Sequence, residues 1–294
     1  MKRGFVKISV LLCMAVCVLG FIAPVKNGFA MPFYGLNPQK LTTRATFYTT
    51  YTSSTEERKH NIKLACKSLN GTLVDVGGEF SFNRTVGART EKRGYKTAKI
   101  ISQGKFVDGV GGGVCQVSST LYNAVLLAGL TVTEYHPHSL SVGYVAPSFD
   151  AMVNSNTADL RFKNNTDNPV IVYATADGDR LTIKIEGEPM HEKYVRQSTV
   201  VGYIPAPEPE TVLDEKGEYP ELYEGESMVL SYGKDGLKSE GYLVVMKDGK
   251  PVSQKKIRSD TYKPLRGLII EGRAVRPIEK DEIEFQPQTG IIFG

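Results

Sequence analysis

Histidine and cysteine are scarce in this chain, with four of each in 294 residues. Cys13 and Cys17 fall in the N-terminal apolar run and read as ordinary hydrophobes, which leaves Cys66 and Cys115 for any later chemistry. There is no Cys-x-x-Cys pair, so the commonest zinc frameworks are missing. No Gly-Lys-[Ser/Thr] follows the three-glycine run, which excludes the usual phosphate-binding loop. Ser102-x-x-Lys105 has no Lys-Thr-Gly partner, and Val195 replaces the second histidine that His191-Glu192 would need as a metalloprotease motif. The apolar run Ile8–Ala23 has sixteen residues, short of the roughly 20 that span a bilayer as a helix.

Surplus charge is also missing once the first thirty residues are set aside. The formal charge of +4 comes from 36 bases and 32 acids, and Lys2, Arg3, Lys7 and Lys26 stand in a segment without acids. The remainder carries 32 of each sign and no basic stripe, so nucleic acid is not an expected partner. Residues 1–30 have the three parts of an export signal: a basic start, an apolar centre, and small residues at Gly28 and Ala30 before a cut. Residues 31–294 are therefore expected outside the cytoplasm, touching a membrane only through an uncleaved N-terminal segment.

What is present reads as an α+β domain followed by a small all-β domain. Residues 56–70 put Ile62, Ala65, Cys66 and Leu69 on one helical face, with Thr55 as cap and Gly71 as stop. Residues 72–110 alternate short strands with glycine turns. Residues 114–128 form a second helix, striped by Val117, Leu121, Ala124, Val125 and Ala128, with Cys115 in its first turn. Residues 130–153 read as strand segments broken at Pro137 and Pro147, and strands begin at Leu160, Val170 and Leu181. The expectation is a helix with an N-terminal cysteine packed on a mostly antiparallel sheet. The division is residues 31–190 for this domain, 191–221 for an acidic, proline-rich linker, 222–273 for the β domain, and 274–294 for a polar tail. Asp177-Gly178 and Asp248-Gly249 mark hairpins.

Gly111-Gly112-Gly113 leads straight into the cysteine helix. Free N–H groups and the helix dipole favour a thiolate at Cys115, and Gly112 and Gly113 can receive an oxyanion or a substrate backbone. Gln116 and His136 belong to the same candidate substrate-binding group. Residue types alone leave Cys115 open between nucleophile, buried thiol and half of a bridge to Cys66. A nucleophile needs a base, and His136 or His138 can return beside it, with Asp150 as the nearest downstream carboxylate. His136-x-His138 with Cys115 lacks a fourth zinc ligand, and neither metal nor cofactor is expected.

These residues resemble the VanW domain family. The matching stretches include Arg58-x-x-Asn61, Gly78-Glu79-Phe80-Ser81-Phe82-Asn83, Val86-Gly87-x-Arg89, Gly111-Gly-Gly-Val-Cys115-Gln-Val-Ser-Ser-Thr, His138-Ser139 and Phe149-Asp150-Ala151. The β domain, with Gly236, Gly241, Gly249, Gly267 and Gly272, is similar to the five-glycine (G-five) domain of cell-wall proteins. The resemblance implies an envelope protein with peptidoglycan or another wall polymer as partner. It further implies L,D-transpeptidase-like acyl transfer on stem peptides, with Cys115 as nucleophile, His138 as base and Asp150 as orienting group. The alternative is a non-catalytic wall-binding protein in which Cys115 is structural.

Overall fold

The computed structural model describes residues 41–102 and 104–275. The export signal expected at 1–30 and most of the polar tail lie outside the described residues. Strand β1 (Thr42–Thr50) is rich in threonine and aromatics, types that suit a pleated, half-buried surface. It pairs antiparallel with β9 (Arg180–Gly187), which pairs with β8 (Val170–Asp177) and then β2 (Thr72–Val74), a four-stranded sheet. Helix α1 (Glu56–Leu69) starts where the Thr55 hydroxyl accepts from the Arg58 N–H, and it lays Ile62, Ala65, Cys66 and Leu69 against β8. Helix α3 (Val114–Leu127) packs on β1, β9 and α1, and Gly129 with φ 70° turns the chain away from it. The described sheets are antiparallel apart from one parallel pair in the C-terminal part.

Around this core, β3 (Glu79–Ser81) joins β7 (Arg161–Lys163) and β6 (Thr131–Glu134) in a second sheet. Helix α2 (Phe82–Val86) is a single turn capped by Ser81, whose Oγ accepts from the Arg84 N–H (3.1 Å) and donates to buried Asp159 (2.5 Å); Asp159 also accepts from the Asn83 N–H at 2.8 Å. Strands β4 (Thr97–Ser102) and β5 (Lys105–Val110) form a hairpin leading into the glycine run.

Two expectations are corrected. Only residues 131–134 of the stretch 130–153 form a strand. Much of the rest is satisfied by side chains of α3 instead of a neighbouring strand. Ser118 Oγ donates to the Ala151 carbonyl (2.5 Å), the Ala151 N–H donates to Ser119 Oγ (2.9 Å), and Asn123 Nδ2 donates to the Phe149 carbonyl (2.7 Å). Buried backbone groups need partners of some kind, and polar residues on a helix supply them here.

The second correction concerns residues 191–221, which are more than a spacer. Strand β10 (Lys193–Ile204) runs antiparallel to β13 (Gly236–Lys247), and β11 (Glu210–Leu213) runs parallel to β15 (Leu268–Glu271). Strand β10 also packs on α3: Arg196 donates to Asn123 Oδ1 and lies over the Phe47 and Phe149 rings at 4.3 and 4.9 Å. Strand β14 (Lys250–Tyr262) follows β13 through Asp248-Gly249, with both φ angles positive (52° and 75°), as a twisted two-residue hairpin requires. Strand β12 (Ser227–Ser231) completes the sheet around β15.

Candidate active site

Cys115 lies in the first turn of α3, half-buried, with Sγ donating to the Val153 carbonyl at 3.3 Å. Asn61 of α1 fixes the entry to that turn: its Nδ2 donates to the Gly112 and Lys96 carbonyls (3.0 and 2.9 Å) and its Oδ1 accepts from the Lys96 N–H (2.8 Å). The three glycines serve close packing. A Cβ on Gly112 would stand 2.7 Å from the Lys99 carbonyl oxygen, one on Gly111 2.9 Å from Arg89 Cβ, and one on Gly113 2.9 Å from Arg58 Cγ. Gly113 also holds φ 106°, a conformation that side chains disfavour. Overpacking against a backbone carbonyl costs about 1–3 kcal/mol, so Gly112→Ala is expected to lower urea stability by that amount. An unchanged midpoint would show that the turn relaxes freely.

His138 is buried and meets Asp150 twice, through its own N–H to Oδ2 (2.7 Å) and through Nδ1 to the same oxygen (2.7 Å). With Nδ1 engaged, Nε2 is the ring nitrogen left for the thiol, and the His138 and Cys115 side chains interact electrostatically. Burial works against the imidazolium, but Asp150 and Cys115 outweigh it and push His138 up to about 9. Burial likewise opposes the thiolate, yet the interaction with His138, with Arg89 beyond, holds Cys115 below its ordinary range. The two shifts share one cause: the interaction between thiol and imidazole favours the charged form of each.

Asp150 is 1% exposed and carries its charge because other groups complete its shell. Its pKa lies below the ordinary value: burial opposes this, and His138, Arg258 and Tyr262 overcome it. Tyr262 donates to Oδ1 at 2.5 Å while accepting from the Ser148 N–H at 2.8 Å. Arg258 Nη1 donates to the Asp150 carbonyl oxygen (2.7 Å), Nη2 lies 3.4 Å from Oδ1, and Nε donates to Asp260 (2.6 Å). Arg258 and Tyr262 both sit on β14, more than a hundred residues downstream. Gly241 on β13 makes the approach possible, since a Cβ there would stand 3.0 Å from the Ser148 carbonyl oxygen.

The structure thus brings Cys115, His138 and Asp150 into one line and sets the other candidates apart. His136 is half-exposed, with Nε2 bound to Glu134 at 2.9 Å. Gln116 is buried, with its amide given to Arg58, Thr49 and Thr50, and Gly112 is buried against Ala98 and Lys99. Gly113 remains beside the thiol at the helix start. The bridge that an oxidising compartment permits is not formed: Cys66 and Cys115 are both free, and burial pushes Cys66 up to about 12.

Sequence reading missed Arg258, Tyr262 and Tyr144. Tyr144 interacts with Cys115 and Ser119, and burial together with the thiolate raises its hydroxyl well above the usual range. Lys256, Arg258, Asp260 and Tyr262 alternate along a strand, a pattern indistinguishable from a solvated charged face.

Residues 57–186 match the family model described as VanW like protein, and residues 207–271 match the G5 domain. Over 139 residues the chain is 43% identical to the uncharacterized protein YoaR of Bacillus subtilis, covering 47% of this chain and 46% of that protein. Over 132 residues it is 31% identical to the vancomycin B-type resistance protein VanW of Enterococcus faecalis, covering 43% and 48%. The chain spans about half the length of the curated relatives it matches. Among solved structures, an IgA1 protease G5 domain is 21% identical over 30% of this chain and 99% of that one, with TM-score 0.18. The G5 domain of HP0197 is 20% identical over 28% and 100%, with TM-score 0.15.

Proposed function

For a chain that carries a VanW-like domain followed by a G5 domain, we propose acyl transfer on peptidoglycan stem peptides outside the cytoplasm. The observation that carries this reading is the line from Asp150 through His138 to the half-buried Cys115 thiol. In the proposed reaction the Cys115 thiolate attacks a stem-peptide amide carbonyl, and the His138 imidazolium gives its proton to the departing amine of the terminal residue. A thioester remains on Cys115. The amine of a second stem then attacks it, His138 takes back a proton, and the thiolate is released with a new amide bond. Asp150 keeps Nδ1 protonated and the ring aligned throughout. The G5 domain, a type associated with wall or extracellular polymers, would hold the enzyme on its substrate. Among the described residues no helix is long and apolar enough to cross a membrane. The vancomycin-resistance relative agrees with an envelope setting.

The test is intact mass of the purified protein after incubation with a stem tetrapeptide. The wild type should gain the mass of the acyl tripeptide and produce cross-linked dimers, whereas Cys115→Ala should do neither. Wild-type protein indistinguishable from Cys115→Ala would sink the enzymatic reading and leave a wall-binding protein with a buried polar cluster.

A further inference from the structure

Two arginines flank the cysteine helix without an ion pair within 4.0 Å among the described residues. Arg58 lies against Gly113 on one side and Arg89 against Gly111 on the other, each at the contact that leaves no room for a Cβ. Arg58 Nη1 donates to Ser54 Oγ (2.6 Å) and Nη2 to Gln116 Oε1 (2.8 Å); Gln116 is itself pinned by Thr49 and Thr50. Arg89 Nη1 donates to Asn83 Oδ1 (2.8 Å) and to the Gly87 carbonyl (3.2 Å). These partners are neutral, and each guanidinium keeps further N–H groups. Among the described residues, Arg44, Arg161 and Arg258 all make ion pairs, whereas Arg58 and Arg89 make none within 4.0 Å. Both are half-buried, so part of each reaches solvent.

A partly buried cation without a close ion pair is held at a cost, because it has lost water and its opposing charges, Asp159 and Cys115 for Arg89 among them, lie beyond contact distance. Burial lowers the pKa of both arginines, and the Cys115 thiolate is among the charges that offset it for each. Their charge therefore acts where the acyl donor must sit. A guanidinium offers a planar fork of donors that matches a carboxylate, and a rigidly seated one loses little freedom on binding it.

We propose that Arg58 and Arg89 form a carboxylate-binding subsite beside Cys115, so that the acyl donor carries a free carboxylate close to the scissile amide. This rests on the reading of Cys115 as nucleophile and names the substrate class of that site. The carboxylate has two possible sources, the chain-terminal α-carboxylate of the leaving residue or a side-chain carboxylate of an inner residue.

Two measurements test the subsite, and neither requires turnover. The first compares alkylation of Cys115 by iodoacetate with alkylation by iodoacetamide. The ratio of the two rates cancels the thiolate fraction, so it reports only the field and donors around the sulfur. The wild type should favour iodoacetate about tenfold more than free cysteine does, equivalent to about 1.4 kcal/mol. Arg58→Gln and Arg89→Gln should each erode that bias, and Arg58→Lys, which keeps charge but not the fork, should restore part of it. A wild-type ratio equal to that of free cysteine overturns the subsite without relying on any variant.

The second measurement uses Cys115→Ala protein and calorimetric binding of stem tetrapeptides. Amidating the terminal carboxylate or the inner side-chain carboxylate should weaken binding about tenfold for whichever one the arginines hold. Equal affinity for all three peptides overturns the proposal. The outcomes separate cleanly from those of the acyl-transfer test. Carboxylate bias without a thioester leaves the subsite standing and removes the transferase, and a thioester without bias does the reverse.

Discussion

His138→Ala is expected to lower the proposed acyl transfer by about 10²–10⁴, the span that a positioned acid–base group contributes. The same change should alter Cys115 in a way that needs no substrate. In the wild type the thiol's pKa is depressed because His138 interacts with it and is itself pushed up to about 9. Without the imidazole, the burial that already opposes ionisation is left with little against it. The sign follows. Wild-type alkylation by iodoacetamide should persist to lower pH than that of free cysteine, because the interaction with His138 holds the thiol below its ordinary range. In the variant it should climb about tenfold per unit up to pH 9 and beyond. At pH 6.5 the variant should react about tenfold more slowly or worse, after allowing for the lower nucleophilicity of a less basic thiolate. Parallel profiles for the two proteins would dissolve the proposed pair.

Arg258→Met should cost about 3–5 kcal/mol of unfolding free energy, the range seen when one partner of a buried charge pair is removed. The Arg258 side chain is fully buried and is bound to both Asp150 and Asp260, so truncation strands two carboxylates at once. Thermal melting should move down by about 10 °C. Tyr262→Phe removes one hydrogen bond from Asp150 and should cost less, about 1–2 kcal/mol. An Arg258→Met protein within about 1 kcal/mol of wild type would mean that Asp150 finds its support elsewhere. Because Arg258 and Tyr262 lie on β14 within the G5 match, the experiment also asks whether that domain is part of the site. A chain ending before β10 would leave Asp150 without either group.

Local patterns carried α1 and α3, whose apolar faces repeat at helical spacing and whose starts have a cap or a glycine turn. They carried the Asp248-Gly249 hairpin as well, since few other pairs tolerate two positive φ angles. The Gly-Gly-Gly-Val-Cys run marked Cys115 as special, although for a different reason than the one found. The glycines admit Arg58, Arg89 and the Lys99 backbone where a substrate backbone was expected. Helix α2 escaped notice because five residues have too little period to read, although Ser81 caps it locally and Asp159 supports that cap from 78 positions away.

The sequence by itself determined where chemistry was available: one cysteine outside the apolar run at a helix start, two nearby histidines, and no net charge over residues 31–294. It could not choose between His136 and His138 without family resemblance, because both stand in the same proline-broken segment. Tertiary structure pairs only one of them with Asp150. Ser118, Ser119 and Asn123 of α3 pin residues 149–151 beside the helix, which delivers Asp150 to His138 and leaves His136 to Glu134. It also decided that Asp150 keeps its charge, through Arg258 and Tyr262 on a strand that reads as solvated. The reason is the same in both cases. A buried charge is stabilised by whatever donors the fold brings within about 3 Å, and that distance bears no relation to separation along the chain.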